Sequence, residues 1–320
     1  MSDRDATLTS SIEGSTWASW HQELIDTDAS TRRYFRLRGP ENQTTILVDA
    51  PPNVEDYNRF LSVGDHLRAA GLCVPAALFK DFKNGVFVIS DLGQTSLAKH
   101  LDASDKSDQA ALDAIIDILL SVRDIQLPDA PSMDHQTAIK MLEPLFAFYG
   151  ADAHDQLEDA IGQAFDEHVD KETVLSLRDF HAENLIWREH KQEKERLGVL
   201  DFQDAFFAPE GYDLASFTRD VRRSVSDRDR LFLEEKFAHQ LGLNLHKFQL
   251  QVALLAIQRN LRILGVFARL IRDGKPKYVK FMPRVWAYLM TDLKRPELVH
   301  LYDVVRSNIR KPAENFKDTK

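Results

Sequence analysis

The strongest constraint on this chain comes from two short polar segments in its second half. Asp179 is followed five positions later by Asn184, and Asp201 comes directly after the apolar run Gly198-Val199-Leu200. In phosphoryl-transfer sites of the kinase type, one Asp accepts the proton of the acceptor hydroxyl, while an Asn and a second Asp hold metal against the nucleotide phosphates. Oxygen atoms of these kinds are the ligands that Mg²⁺ prefers. A short loop followed by a strand would deliver all three groups to one point, so the spacing favours phosphoryl transfer.

Charge and cysteine content narrow the class of protein. The 320-residue chain has a formal net charge of −9, whereas proteins that bind the nucleic-acid backbone usually carry a basic surplus. Its single cysteine, Cys73, excludes an intrachain disulfide and fits a reducing compartment. Residues 1–10 lack the apolar core of a signal peptide, and the apolar run near 252–271 is interrupted by three arginines. We expect a cytoplasmic protein that binds neither nucleic acid nor membrane, and the sequence leaves its oligomeric state open.

Hydrophobic periodicity divides the chain into two unlike parts. Residues 1–92 are mostly typical of strands, with one helix predicted over 53–70 and a hairpin that turns at Lys83-Asn84-Gly85. After Asp91-Leu92-Gly93 the apolar residues take helical spacing, interrupted by two short strands. The strands are predicted at 185–187 and 197–200, and the helices at 109–126, 138–149, 155–169, 213–224, 227–241, 246–272, 280–293 and 296–310. The pattern predicts an α+β protein with a small β-rich lobe over 1–92 and a larger helical lobe over 93–320.

Six motifs follow one another between residues 25 and 225. They are Asp28 to Arg36, Leu47 to Pro52, Asp91 to Gly93, Leu177 to Asn184, Asp201 to Asp204 and Gly211 to Leu214. Together they resemble the aminoglycoside phosphotransferase family, which shares the bilobal protein-kinase-like fold. Within that family they are most similar to the anomeric N-acetylmuramate and N-acetylglucosamine kinases of cell-wall (peptidoglycan) recycling. The resemblance implies a kinase that uses ATP and Mg²⁺ to phosphorylate a small-molecule sugar, with a nucleotide-binding first lobe and a catalytic and substrate-binding second lobe.

The resemblance also implies roles for the central motif. Asp179 would be the catalytic base, and Asn184 and Asp201 would hold Mg²⁺. The family usually has His-Gly-Asp where this chain has Leu-Arg-Asp ending at Asp179, so we expect the loop to be braced differently. Arg178 and His181 are therefore further catalytic candidates, and His181 either contacts phosphate or supports the loop.

The nucleotide side departs from the kinase pattern at one position. Kinases place a Lys on the third strand to neutralise the α- and β-phosphates, but Thr45 to Asp49 contains no Lys. Arg33 and Arg36 are the candidates to replace it, because a guanidinium can bind phosphate through two hydrogen bonds. The alternative is a solvated basic strand edge. The hinge Ser90-Asp91-Leu92 would bind the adenine edge through backbone groups.

The acceptor side is the least determined by the sequence. Residues 245–320 contain 16 Lys and Arg against six Asp and Glu, which suits an anionic or neutral sugar better than a polycationic aminoglycoside. The lactyl carboxylate of N-acetylmuramate would suit an arginine, although most such arginines lie on solvated helix faces. Asp204 either lines the sugar site or stabilises its loop, and Asp213 is expected to brace the catalytic loop. The arginine candidates are Arg222, Arg223, Arg259 and Arg262.

Two other functions remain open. One is a kinase of another small alcohol, such as an aminoglycoside, choline or homoserine, although Trp286 and Tyr288 are spaced too closely on a helix to form one aromatic box for a cation. The other is a nucleotide-binding pseudokinase regulator, which the missing strand Lys and the missing catalytic-loop His favour. The sugar kinase is our working hypothesis.

Overall fold

The computed structural model describes residues 3–25, 32–50, 57–103 and 107–312. Its N-terminal part is a five-stranded antiparallel sheet in the order β1-β2-β3-β5-β4, with a helix on each face. The predicted strands and the Asn-Gly hairpin are confirmed, whereas α1 and β1 were not predicted. The start of the predicted helix over 53–70 lies partly outside the described residues. The elements are α1 (Asp3–Ser11), β1 (His21–Ile25), β2 (Arg33–Arg38), β3 (Thr44–Asp49), α2 (Tyr57–Ala69), β4 (Ala77–Asp81) and β5 (Val86–Ser90).

The two faces of this sheet bury different side chains. Leu37, Leu47 and Val88 form one small core with Leu8 of α1 and with Ile12, which directly follows α1. The opposite face packs toward α2 and the rest of the protein, through a continuous core that includes the side chains of Ile46, Val48, Tyr57, Phe60, Phe87 and Ile89. Because successive strand residues point to opposite faces, residues of β2 are divided between the α1 face and the α2 face.

The C-terminal part is helical and contains two pairs of short strands. β6 pairs with β9 and β7 pairs with β8, both antiparallel. A loop runs from β6 to β7, and a second loop runs from β8 to β9. The elements are α3 (Leu97–Asp102), α4 (Gln109–Arg123), α5 (His135–Lys140), α6 (His154–His168), β6 (Thr173–Ser176), β7 (Leu185–Trp187), β8 (Leu197–Val199), β9 (Phe206–Pro209), α7 (Tyr212–Thr218), α8 (Asp227–Gln240), α9 (Leu245–Arg272), α10 (Met282–Leu293) and α11 (Val299–Asn308).

Helix α9 is the centre of the helical part. It is long and apolar enough to cross a membrane, but 78% of its apolar window is buried inside the fold, as in a core helix. Gly265 lets α9 lie directly against the preceding chain, since a Cβ at that position would lie 2.1 Å from the carbonyl carbon of Pro144. Asn244 begins the helix by accepting a hydrogen bond from the Lys247 amide.

Two sequence predictions of helix length were wrong in the helical part, and one pair of strands there was not predicted. The predicted helix at 138–149 is divided into α5 and a separate turn over Leu145–Tyr149 that follows Pro144, because proline disrupts the interior of a helix. The predicted helix at 213–224 ends at Thr218, and the irregular residues after it approach the catalytic loop. Strands β6 and β9, each four residues long, were not predicted.

Candidate active site

The loop Leu177–Asn184 is held by a buried carboxylate. Both oxygens of Asp213 accept hydrogen bonds from this loop, one from the Leu177 amide at 2.6 Å and one from the Arg178 amide at 3.0 Å. Burial raises the pKa of Asp213 to about 7, although the two backbone donors and the nearby charge of Arg259 lower it. The bracing role expected for Asp213 is confirmed.

Arg178 adopts a backbone conformation that favours glycine. Its φ is +74°, in the left-handed region that costs a residue with a Cβ about 1–2 kcal/mol. This is the position at which the aminoglycoside phosphotransferase pattern has Gly. The Arg178 guanidinium lies 5.9 Å from the centre of the Phe206 ring, so the side chain packs beside β9.

Pairing of β7 with β8 brings the predicted metal ligands together. Leu185 lies opposite Val199 in this antiparallel pair, so Asn184, just before β7, is adjacent to Asp201, just after β8. The Asn184 Nδ2 donates to the Asp179 carbonyl at 3.0 Å and to Asp201 Oδ2 at 3.3 Å. This leaves the amide oxygen of Asn184 as its ligand atom.

Asp179 is positioned by hydrogen bonds within the loop and remains open to solvent. Its amide donates to the Leu177 carbonyl at 2.9 Å, and its own carbonyl accepts from the His181 amide at 3.1 Å. The carboxylate is 44% exposed and lies 4.0 Å from Nη2 of Arg259. An acceptor hydroxyl can therefore reach it.

Asp201 lies where negative charge accumulates. Desolvation in the cleft raises its pKa, and the charges of Asp179 and Asp204 raise it further, whereas hydrogen bonds from Gln203 and Asn184 lower it. Asp204 itself is exposed beside this group. Carboxylates grouped in this way favour a bound cation.

A magnesium ion fits this donor set. Among the described residues, no cluster of three or more His, Cys, Asp or Glu side chains is placed to hold a metal. Magnesium in phosphoryl-transfer sites is usually held by one or two carboxylates together with substrate phosphates and water, so Asn184 and Asp201 are a set of the expected kind.

His181 belongs to the catalytic loop, and its side chain is buried. Burial, followed by the positive charges of Arg222 and Arg259, lowers the pKa of His181 well below its usual value of 6.5. The imidazole is therefore neutral at pH 7. Its backbone carbonyl accepts from the Asn184 amide at 2.9 Å, which closes the last turn of the loop.

The candidate acceptor arginines differ in their partners. Arg222 pairs with Glu183 of the catalytic loop at 3.2 Å. Arg223 bonds instead to Asp102 at the end of α3, at 3.0 Å, and this pairing does not support the acceptor-binding role expected for it. Arg259 contacts the loop through the Arg178 carbonyl at 3.4 Å.

The two arginines expected to bind phosphate are both paired with carboxylates. Arg33 lies on the α1 face of the sheet, bonded to Asp49 at 2.7 Å and to Asp5 at 2.9 Å. Arg36 lies on the opposite face, but it forms a two-point ion pair with Asp91 at 2.7 and 3.2 Å and also donates to the Gly93 carbonyl. These pairings do not support the expected phosphate role for either arginine, because Arg33 points away from α2 and Arg36 braces the hinge.

The hinge is fixed on both sides. The Ser90 hydroxyl accepts from the Ala76 amide at 2.9 Å, and Asp91 accepts from the Gly93 amide at 2.9 Å in addition to Arg36. Leu92 packs closely on Gly198 of β8, where an added Cβ would lie 2.8 Å from Leu92. This contact joins the hinge to the strand that leads to Asp201.

Sequence reasoning missed two arginines near the site. Arg59 on α2 donates to the backbone carbonyls of Gln203 at 2.6 Å and Ala205 at 2.7 Å, in the loop that carries Asp201. Arg32 lies with its guanidinium 5.5 Å over the ring of Tyr57, on the α2 side of the sheet. Strand alternation would have indicated Arg32, but no local signal marks Arg59.

Comparisons with known proteins bear on the family to which this chain belongs. The model of the phosphotransferase enzyme family matches residues 21–250. The N-acetylmuramate/N-acetylglucosamine kinase of Caulobacter vibrioides is 32% identical over 348 residues, which cover 94% of this chain and 95% of that protein. The kinase of the same name from Pseudomonas aeruginosa is 32% identical over 308 residues and covers 89% and 88% of the two chains.

Among solved structures, a choline/ethanolamine kinase family protein from Mesorhizobium loti superposes with a TM-score of 0.68. The match covers 94% of this chain and 98% of that one at 13% identity. At that identity the similarity concerns the fold alone, and it confirms the predicted kinase-like α+β architecture.

Proposed function

The chain belongs to the phosphotransferase enzyme family, and from that premise we propose that it is an ATP- and Mg²⁺-dependent kinase of an N-acetylated amino sugar. The acceptor is N-acetylmuramate or N-acetylglucosamine, phosphorylated at its anomeric hydroxyl. The proposal places the enzyme in the cytoplasm, where ATP and the sugars recycled from the cell wall are both present.

One observation carries this proposal. The side-chain amide of Asn184 donates hydrogen bonds to both the Asp179 carbonyl and the Asp201 carboxylate, so a base that is open to solvent and two oxygen ligands lie close together. Phosphoryl transfer needs little covalent chemistry from the protein and depends on positioning and charge stabilisation. A convergent Asp, Asn and Asp supply both.

Each group then has a role that follows from its environment. Asp179 accepts the hydrogen bond of the acceptor hydroxyl and orients it for in-line attack. Asn184 and Asp201 would hold Mg²⁺, which when bound neutralises charge on the transferred phosphoryl group. Arg178 and neutral His181 shape the loop around Asp179.

The first lobe, over residues 1–92, would bind the nucleotide. The backbone of Ser90, Asp91 and Leu92 would meet the adenine edge, with Arg36 fixing the hinge through Asp91. Arg32 replaces Arg33 as the candidate cation for the phosphates, because it lies on the α2 side of the sheet.

Two features support an amino sugar as acceptor. Relatives that cover nearly the whole chain are named N-acetylmuramate/N-acetylglucosamine kinases. The acceptor side of the catalytic loop is also surrounded by arginines rather than by carboxylates alone, which suits an anionic or neutral sugar. Arg222, at 3.2 Å from Glu183, borders this region, and Asp204 lies at its edge.

The direct test is Mg²⁺-dependent ATP consumption with N-acetylmuramate, N-acetylglucosamine, kanamycin and choline in parallel, with the product identified by phosphorus NMR. We expect an anomeric sugar phosphate. Asp179→Asn should lower kcat by roughly 10²- to 10⁴-fold while nucleotide affinity is kept. Glu189→Gln, which removes an exposed carboxylate on the β7–β8 turn, is the control.

Other outcomes would change the proposal in defined ways. Turnover of kanamycin or choline alone would retain the base and replace the substrate. ATP binding without turnover of any acceptor would favour a regulator, and a normal rate for Asp179→Asn would remove Asp179 as base.

A further inference from the structure

Helix α9 presents one partly open stripe beside the catalytic loop. Along its second half, Arg259, Arg262, Ile263 and Val266 are partly exposed, whereas the residues between them are buried. Their spacing of three and four residues places them on one face of the helix. The stripe begins at Arg259, which lies 4.0 Å from the Asp179 carboxylate.

Arg262 differs from the other three candidate acceptor arginines, because each of those has a hydrogen-bond or ion-pair partner among the described residues. Arg222 pairs with Glu183, Arg223 with Asp102, and Arg259 donates to the Arg178 carbonyl. Within the described part of the chain, Arg262 makes no hydrogen bond or ion pair. A guanidinium carries five N–H donors, and Arg262 uses none of them within the described residues.

The surroundings of Arg262 make an anionic partner favourable. Its electrostatic neighbours are Tyr212, Arg178, Asp179 and Arg259, and burial lowers its pKa. Two of these four neighbours, Arg178 and Arg259, are positive. The carboxylate of Asp179 therefore lies near three cations, one of which is Arg262. A partly desolvated, unpaired guanidinium gains most from a charged acceptor with two oxygens.

We propose that Arg262 binds the carboxylate of an acidic acceptor sugar and thereby makes the enzyme prefer N-acetylmuramate to N-acetylglucosamine. This inference rests on the proposed sugar-kinase function. Arg262 lies one helical turn beyond Arg259, about 5–6 Å farther along α9 between Cβ atoms. A carboxylate held there is therefore set apart from the hydroxyl that meets Asp179.

The chemistry of the sugar matches this separation. In N-acetylmuramate the lactyl ether is on C3, whereas the reacting hydroxyl is on C1. The carboxylate is therefore attached two ring carbons away from the point of attack. Ile263 and Val266, next on the stripe, offer apolar surface for the methyl groups of the lactyl and acetyl substituents. N-acetylglucosamine has no carboxylate and would leave Arg262 unpaired.

The test compares kcat/KM for N-acetylmuramate, its neutral methyl ester and N-acetylglucosamine. The wild-type enzyme should prefer the acid to the ester. Arg262→Gln should lower kcat/KM for N-acetylmuramate about 10- to 100-fold more than for N-acetylglucosamine, the range expected for a charged hydrogen bond. The Arg262→Gln enzyme should have the same kcat/KM for the acid and for the ester. Arg262→Lys, which keeps the charge and loses the fork, should retain part of the preference.

Arg272→Gln is the matched control, because it removes the same charge from the same helix at a position 65% exposed, and it should leave the ratio of the two sugars as in the wild type. An equal fall for both sugars in Arg262→Gln would overturn the inference and assign Arg262 to the transferred phosphate. A wild-type enzyme that treats acid and ester alike would overturn it without any variant. Failure of the wild type to phosphorylate either sugar would overturn the proposed function itself.

Discussion

Two residues of the active site have backbone conformations that residues with a Cβ seldom adopt. Arg178 has φ +74° and Asp201 has φ +57°. Both border the candidate active site, and both are held by partners: the Arg178 amide donates a hydrogen bond to Asp213, and Asp201 accepts hydrogen bonds from Gln203 and Asn184. Backbone strain of this kind persists where surrounding contacts enforce it and is frequent at functional sites.

The strain at Arg178 can be measured by comparing two truncations. Arg178→Gly and Arg178→Ala both remove the side chain, but only glycine adopts positive φ without steric cost. We expect the glycine variant to be more stable to unfolding than the alanine variant by about 1 kcal/mol, measured by urea denaturation. Equal stability, or a more stable alanine variant, would mean that the loop does not hold residue 178 in this conformation.

At the scale of elements, helix α2 is attached to the loop that carries Asp201. Arg59 bonds to the Gln203 and Ala205 carbonyls, and Phe60 stacks on Phe202 with ring centres 5.0 Å apart. These contacts join residues about 145 positions apart in the sequence. The position of the proposed metal ligand therefore depends on a helix from the other part of the chain.

Removal of this attachment should weaken metal binding. Partners that position metal ligands from behind typically contribute 10- to 100-fold to metal affinity or activity. For Arg59→Met we expect the Mg²⁺ concentration for half-maximal activity to rise about 10-fold, measured by magnesium titration of ATP turnover.

Arg68→Met is the matched control, since Arg68 lies on the same helix but donates to the Pro75 carbonyl at 2.7 Å. It should leave the magnesium requirement unchanged. If Arg59→Met lowers stability while its magnesium curve matches that of the wild type, Arg59 holds the fold and does not position the metal loop.

At the scale of the whole molecule, a buried ion network joins the helices. Arg219, after α7, bonds to Glu234 of α8 at 2.6 Å and to Asp292 of α10 at 2.9 Å. Gln249 of α9 also donates to Glu234, at 3.0 Å. Side chains of Arg219 and Glu234 are essentially inaccessible to water, so each charge depends on the others.

Deletion of one member should therefore be costly. Arg219→Met leaves Glu234 and Asp292 buried without their main cation, and we expect a loss of about 3–5 kcal/mol in the free energy of unfolding, measured by chemical denaturation. Arg38→Met breaks an ion pair with Glu23 whose side chains are 42% and 50% exposed, and it should cost no more than about 1 kcal/mol. Similar losses for the two variants would contradict the assignment of Arg219 as a structural centre.

The chemistry of the site and many of the secondary-structure elements around it can be predicted from the amino-acid sequence. Asp179, Asn184 and Asp201 were identifiable because their spacing is local: a loop leads into β7, and the β7–β8 hairpin returns the chain to the same point. Strand alternation and helical periodicity are also local properties, so the five-stranded region and the longer helices were predictable. The ends of α5 and α7 were not, since they depend on Pro144 and on packing after Thr218.

Which charged groups are already paired follows from the fold and cannot be predicted from the sequence. Arg33 is neutralised by Asp5 and Asp49, Arg36 by Asp91, and Arg223 by Asp102. These partners are 16 to 121 positions away in sequence, and no periodic pattern records them. Ion pairing depends on distances that arise from packing, and for this reason the sequence offered four arginines for the acceptor whereas the fold leaves Arg262 as the candidate without a partner among the described residues.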